Sequence, residues 1–390
     1  MPSLLDQARA IEPELVDIRR DLHQHPEIAW EEFRTGQRTA DFCERLGLKV
    51  IRNAAKTGTV AVLNPDKPGP AMALRADMDA LPIQEENQVS YKSTTAGKGH
   101  LCGHDAHTAM LMGAAKMLVR YKDQIPFPVR FLFQPAEEVP KGGAEVMIAE
   151  GHLNGVSEVF GLHVNPLLPC GTLGNRAGAM MASMDRLEIN VDGVGGHGAM
   201  PHLSRDPIVA AAQIIVALQS IVGRRIDPLE SGVVSVCQLD AGSAFNVIPS
   251  HVRLIGTMRS LTPEIWTALP QWIDEIATNT ARAMGCSART EYIRGTPVLI
   301  NHAEPVEKMN RAFRRLGGSP VEVKPTMGGE DFASYLLKAP GCFAFLGAGN
   351  GTAETSQCFH HPRYNIDEKA LPWGSALFTQ VVLDRAGVSV

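Results

Sequence analysis

The sequence predicts an α/β protein in two parts, and three observations carry that prediction. Apolar runs of strand length recur at 58 to 63, 71 to 75, 128 to 133 and 158 to 163, with helical stretches such as 105 to 121 separating some of them. A segment of different texture, from about 177 to 291, interrupts this rhythm before it resumes near 292. Clusters of His, Asp and Glu follow the apolar runs directly. Open α/β sheets bind ligands outside the carboxyl ends of their strands, so this placement implies one shared site.

Taken in order, Pro13 suits the first turn of a helix with Leu15, Ile18 and Leu22 on one face, and His23 and His25 come at its end. Asp77 and Asp79, in Arg-Ala-Asp-Met-Asp-Ala-Leu-Pro, follow the second apolar run. An amphipathic helix is expected over 105 to 121. Glu137 and Glu138, in Gln-Pro-Ala-Glu-Glu, follow the third run, and His163 stands at the tip of the fourth. Residues 185 to 192 alternate like a half-exposed strand, and Gly193 to Gly198 reads as a turn. A helical run from Pro207 to Val222, strands near 232 to 238 and 251 to 258, and a long helix near 263 to 284 complete an α+β insert. Residues 1–176 and 292–390 are thus expected to form one domain, with 177–291 as a second domain inserted on two linkers.

Composition narrows the function. A net charge of −5 and a pI near 6.2 argue against nucleic acid as a partner, because phosphate binding shows as a basic surplus. Seven cysteines without close pairing fit a reducing compartment, with the cytoplasm as the default. The N-terminal residues lack the basic region and apolar run of a signal peptide, and the sequence reads as having no stretch of the ~18 apolar residues a membrane span needs.

The chemistry concentrates in His100-Leu-Cys-Gly-His-Asp-Ala-His107. Together with Asp77, Asp79, Glu137, Glu138 and the pair His360 and His361, it offers thiolate, imidazole and carboxylate donors. That mixture suits zinc, manganese, cobalt or nickel, whereas calcium and magnesium prefer oxygen. Each donor alone has a plainer reading. A lone cysteine is most often a small core residue, a histidine on an apolar strand a satisfied core histidine, and a Glu pair a solvated helix start. His104 beside Cys102, and the shared strand-end placement, overturn those readings as a set. His23, His25, His152, His251 and His302 keep the structural reading, and His100 and His107 are expected to support the loop.

In order along the chain come Asp21-Leu-His-Gln-His-Pro-Glu27, Arg75-Ala-Asp-Met-Asp-Ala-Leu-Pro82, Cys102-Gly-His-Asp-Ala-His107, Gln134-Pro-Ala-Glu-Glu138, Leu162-His-Val164, Gly196-His-Gly-Ala-Met-Pro-His202, Asn246-Val-Ile-Pro249, Gly328-Gly-Glu-Asp-Phe332 and His360-His-Pro362. With these motifs the chain resembles the aminoacylase and carboxypeptidase family of metal-dependent amidohydrolases, in the branch of hippurate hydrolase and the auxin-conjugate (IAA-amino acid) hydrolases. The resemblance implies a zinc-peptidase-like catalytic domain, a mixed sheet with helices on both faces, and an inserted α+β lid that mediates dimerisation. It implies two divalent metal ions held by Cys102, His104, Glu138, His163 and His360, with Glu137 as general base. It also gives Asp79 an orienting role, His197 in the lid contact with the scissile carbonyl, and Asn246 and Arg259 contact with the substrate carboxylate. Relatives of carboxypeptidase type carry a ligating histidine where this chain has Asp77, and Cys102 is read as its replacement. Spacing to Pro362 favours His360 over His361 as a ligand. The Gly328–Phe332 landmark receives no role.

The expected activity is hydrolysis of N-acyl amino acids to a carboxylic acid and a free amino acid. A metal ion polarises an amide carbonyl and acidifies water, and a carboxylate kept off the metal can move the protons. A metallo-exopeptidase acting on dipeptides or C-terminal residues is the alternative. A metal-binding protein without turnover is disfavoured, because it has no use for Glu137. The expected partners are a small N-acyl amino acid or peptide and a second copy of the chain, with neither nucleic acid nor membrane.

Overall fold

Gly58–Leu63 and the first four residues of Ala71–Asp77 carry mostly small or apolar side chains, and both segments form buried strands, with Arg75 and Asp77 paired inside the second. The computed structural model describes residues 2–390. Eight strands form one mixed sheet in the order Lys49–Ala54, Gly58–Leu63, Val129–Gln134, Ala71–Asp77, Val156–Pro169, Gly341–Gly349, Thr172–Asn175 and Ser319–Glu322. Ala71–Asp77 runs parallel to both Val129–Gln134 and Val156–Pro169, and Gly341–Gly349 runs parallel to the latter. Four neighbouring strands therefore direct their carboxyl ends the same way. Asp77 pairs with Gln134 at that end, which brings the Asp and Glu motifs side by side.

Helix Glu12–Gln24 starts with Pro13 in its first turn and buries Leu15, Ile18 and Leu22, as its spacing predicts. The stretch expected to be amphipathic is helix His104–Val119, and every residue in it except Lys116 and Val119 is buried. It packs against strand Ala71–Asp77 as well as helices Glu12–Gln24 and Ala370–Ala386, so only Lys116 and Val119 near its end reach toward solvent. Gly113 permits this closeness: a Cβ there would lie 2.3 Å from Ser375 Oγ and 2.7 Å from Leu15 Cδ2.

Two compact units emerge, Met1–Gly178 with Ile300–Lys324 and Asp331–Val390, and Ala179–Leu299 with Pro325–Glu330. Strand Ser287–Thr296 pairs with Met184–Asp192 and so runs across the boundary expected at 292. Its ladder keeps the chain in the second unit to Leu299. That unit has an antiparallel sheet in the order Gly232–Ala241, His251–Ser260, Met184–Asp192, Ser287–Thr296, with helices Pro207–Ser220 and Pro263–Ala283. Its core includes Leu187, Ile189, Ile214, Leu218, Leu254, Leu269 and Ile273. One sequence expectation needs correction here. Pro207–Arg225 is, over its 19 residues, long and apolar enough to cross a membrane. One side of it packs into the second unit, burying Ala210, Ala211, Ile214 and Leu218 in the core, while Ile208, Val209, Val216 and Val222 stay exposed.

Candidate metal centre

The Cys102-Gly-His104 turn depends on its glycine. Gly103 has φ +100°, and a Cβ there would fall 2.4 Å from Val164 Cγ2 and 2.6 Å from Tyr364 Oη. Tyr364 Oη in turn donates to the Cys102 carbonyl at 3.1 Å. The turn delivers Cys102 and His104, both buried, to the carboxyl end of the parallel strands. Among the non-glycine residues in the left-handed region, Ala136 at φ 53° and His360 at φ 66° belong to the donor motifs. Ala136 immediately precedes Glu137 and His360 is itself a donor, positions where backbone strain commonly accompanies function.

Donor atoms converge in overlapping groups whose members lie within 4.8 Å of one another: Cys102 with His104 and His163, Cys102 with Glu138 and His360, and His104 with Glu137 and Glu138. The first two share the cysteine. Cys102 Sγ is 3.4 Å from His163 Nε2. His163 Nδ1 donates to the Val164 carbonyl at 2.8 Å, which leaves its Nε2 lone pair facing the thiol. His104 Nδ1 lies 3.2 Å from Asp79 Oδ1, and Asp79 Oδ2 accepts the Glu138 N–H at 3.0 Å. Asp79 thus orients an imidazole and the Glu137–Glu138 turn together. His104 Nε2 and Glu138 Oε1 are buried without a hydrogen-bond partner, although Glu138 Oε1 stands 3.2 Å from His360 Nε2 and 3.9 Å from His104 Nε2. Buried polar atoms aimed at one another without bonds fit a cation that each would bind.

The electrostatics agree. Burial opposes a charge on His104, but Asp77, Asp79 and Glu138 outweigh it and push its pKa up to about 10. Burial, with Glu138 and Glu137 adding to it, drives the Cys102 thiol well above its ordinary range. His163 is held well below the usual imidazole range, first by burial and then by His107. Carboxylates thus crowd the donor set, and a divalent cation bound there would neutralise them in place of the proton His104 otherwise holds.

His107 stays out of the donor set. Its Nε2 accepts the Val164 N–H at 2.9 Å, so its proton sits on Nδ1, 2.6 Å from Asp77 Oδ1. His361 is likewise occupied, its Nδ1 accepting the Arg363 N–H at 3.0 Å, while His360 faces Glu138. His197, Asn246 and Arg259 belong to the second unit. There His197 pairs with Val247, and the Asn246 carbonyl accepts the Gly198 N–H at 2.8 Å, so the first two are neighbours. Arg259 Nη1 is buried without a partner.

Sequence reasoning missed Glu32. It is fully buried, its Oε1 accepts the Ala136 N–H at 2.8 Å and its Oε2 accepts Thr57 Oγ1–H at 2.7 Å. It therefore holds the strained residue just before Glu137. A tandem acidic pair, Glu31-Glu32, at a helix start was the only signal for it.

The sequence model of Peptidase family M20/M25/M40 matches residues 73–384. The chain is 40% identical over 376 residues to the N-acetylcysteine deacetylase of Bacillus subtilis, covering 96% of this chain and 97% of that one. It is 37% identical over 369 residues to the IAA-amino acid hydrolase ILR1-like 4 of Arabidopsis thaliana, covering 93% and 83%. Among solved structures it superposes on the Bacillus subtilis YXEP protein, described as a dinuclear metal binding peptidase from the M20 family, with a TM-score of 0.86 and 36% identity over 98% of this chain and 99% of that one. The chain belongs to Peptidase family M20/M25/M40.

Proposed function

We propose that this hydrolase cleaves N-acyl amino acids at a two-metal centre. One observation carries the reading: His104 Nε2 and Glu138 Oε1, both buried without a hydrogen bond, converge with Cys102, His163 and His360, with the Glu137 carboxylate within 4.8 Å of His104 and Glu138. In this reading Cys102, His104, Glu138, His163 and His360 are the ligands, with the cysteine common to both triads. Zinc, manganese, cobalt and nickel all suit the set, and the thiolate favours the softer of them. Ions bound there would polarise the amide carbonyl and make water more acidic.

The rest of the work falls to the chain. Glu137 takes a proton from water and returns it to the leaving amine nitrogen. Asp79 holds His104 and the Glu138 amide in register. His197 stabilises charge developing on the carbonyl oxygen, and Asn246 and Arg259 bind the substrate carboxylate, the latter through its guanidinium fork. The second unit serves as lid and as the seat of a homodimer. Support comes from the edge strand Gly232–Ala241 and from the exposed Val209 and Val216 on the neighbouring helix. All seven cysteines are free, which supports a cytoplasmic setting.

A substrate panel tests the activity. Metal-loaded protein should hydrolyse acetylated amino acids, hippurate or auxin conjugates faster than free dipeptides. A requirement for an unblocked amino terminus would replace this reading with an exopeptidase.

A further inference from the structure

Two motifs remain unused by the ligand set, Asp77 and the Gly328–Phe332 landmark, and the structure joins them. Asp331, Arg75, Gln134, Asp77 and His107 are all buried in the first unit. The Arg75 guanidinium donates from Nη2 to Asp331 Oδ1, from Nη1 to Asp77 Oδ2 and from Nε to Gln134 Oε1, each at 2.8 Å. Gln134 Nε2 donates back to Asp331 Oδ2 at 2.7 Å, and the Ala144 N–H reaches the same oxygen at 3.1 Å. Gly142 leaves room for this, since a Cβ there would lie 2.6 Å from Asp331 Oδ2.

The relay has two ends. One runs from Asp77 through His107 to the Val164 N–H, the peptide next to His163, whose own Nδ1 donates to the Val164 carbonyl. The other runs through Gln134 into the Pro135–Ala136 turn that presents Glu137 and Glu138. With glutamine at 134, position 331 is surrounded by donors. Arg75, Gln134 and Ala144 all turn N–H groups toward it, and the asparagine amide would oppose them with N–H groups of its own.

We propose that Asp331 is a positioning residue for the metal centre: through Arg75, Asp77 and His107 it fixes the peptide that carries His163, and through Gln134 the turn that carries Glu137 and Glu138. This rests on the metal-centre reading above. Residues that orient ligands from behind typically set metal affinity and activity by 10–100-fold.

Cobalt substitution tests it. Wild type, Asp331→Asn and the double variant Asp331→Asn/Gln134→Glu are loaded with cobalt(II). Affinity is read by chelator competition, thiolate coordination by its charge-transfer absorption, folding by circular dichroism, and kcat and KM on an acetylated amino acid. In the double variant the carboxylate moves to position 134, where it accepts from both Arg75 and the new amide. Asp331→Asn should fold, bind cobalt about 10–100-fold more weakly and lose kcat by a similar factor with KM within about twofold. The double variant should recover a large part of both. If Asp331→Asn fails to fold, Asp77→Asn cuts the same relay at its middle and carries the same expectations. Wild type that binds no cobalt overturns the metal-centre reading and this inference with it. Wild type that binds cobalt, beside a folded single variant with unchanged affinity, absorption and kcat, overturns this inference alone. A double variant no better than the single one also overturns it.

Discussion

Replacing Glu32 by glutamine keeps the shape of a buried side chain and removes its charge. Glu32 lies beneath the turn before Glu137, where burial pushes its pKa from 4.5 to about 7; Thr57 opposes that shift and the charge of Asp79 adds to it. The folded value lies above the unfolded one, so the folded chain keeps a proton that the unfolded chain releases between pH 4.5 and 7. Stability therefore falls as pH rises through that window and levels off above it. At about 1.4 kcal/mol per tenfold, the charged carboxylate costs on the order of 3 kcal/mol at pH 8. Glutamine can accept the Ala136 N–H through Oε1 and donate to Thr57 Oγ1 through Nε2, so both native contacts have replacements. Urea unfolding of wild type and Glu32→Gln in chelator, at pH 4.5 and pH 8, measures the difference without metal–proton competition. The two should agree within about 1 kcal/mol at the lower pH, with the variant about 2–3 kcal/mol more stable at the higher one. A stability difference that does not change with pH would refute the reasoning.

Other perturbations separate the roles at the centre. Glu137→Gln should lower kcat by orders of magnitude while metal content survives, whereas Glu138→Gln should lose metal, as elemental analysis of both variants would show. Gly103→Ala must move Val164 or Tyr364 aside and abandon a φ of +100°, so it should lose metal and unfold at lower urea concentration. Mixing Glu137→Gln with His197→Ala chains should restore about a quarter of wild-type activity if His197 acts across a two-fold dimer. Proven subunit exchange without any recovery would confine His197 to its own chain.

The legible parts of this chain were those with local signals. Apolar runs marked the central strands, and the donors fell at their ends because parallel strands open their carboxyl ends to one edge of the sheet. Helix His104–Val119 was misread as amphipathic because Lys116 and the polar residues of its first turn imitate an exposed face, while His104, Asp105, His107 and Thr108 are all buried. The helix from Pro207 was legible to Val222, but its membrane-spanning apolar length was not, because Gln213, Gln219 and Ser220 break its hydrophobic run. Glu32 and Asp331 were illegible for a different reason. Their partners, Ala136 and Arg75, lie 104 and 256 residues away, and no periodicity reports such a pairing.

The central claim is that Cys102, His104, Glu138, His163 and His360 hold the ions on which hydrolysis depends. Titrating chelator-stripped protein with zinc, manganese, cobalt or nickel, while following bound metal by elemental analysis and turnover of an acetylated amino acid, tests it most directly. Activity should be absent at zero metal and should rise with occupancy up to two ions per chain. Full hydrolysis by exhaustively metal-free protein would contradict it.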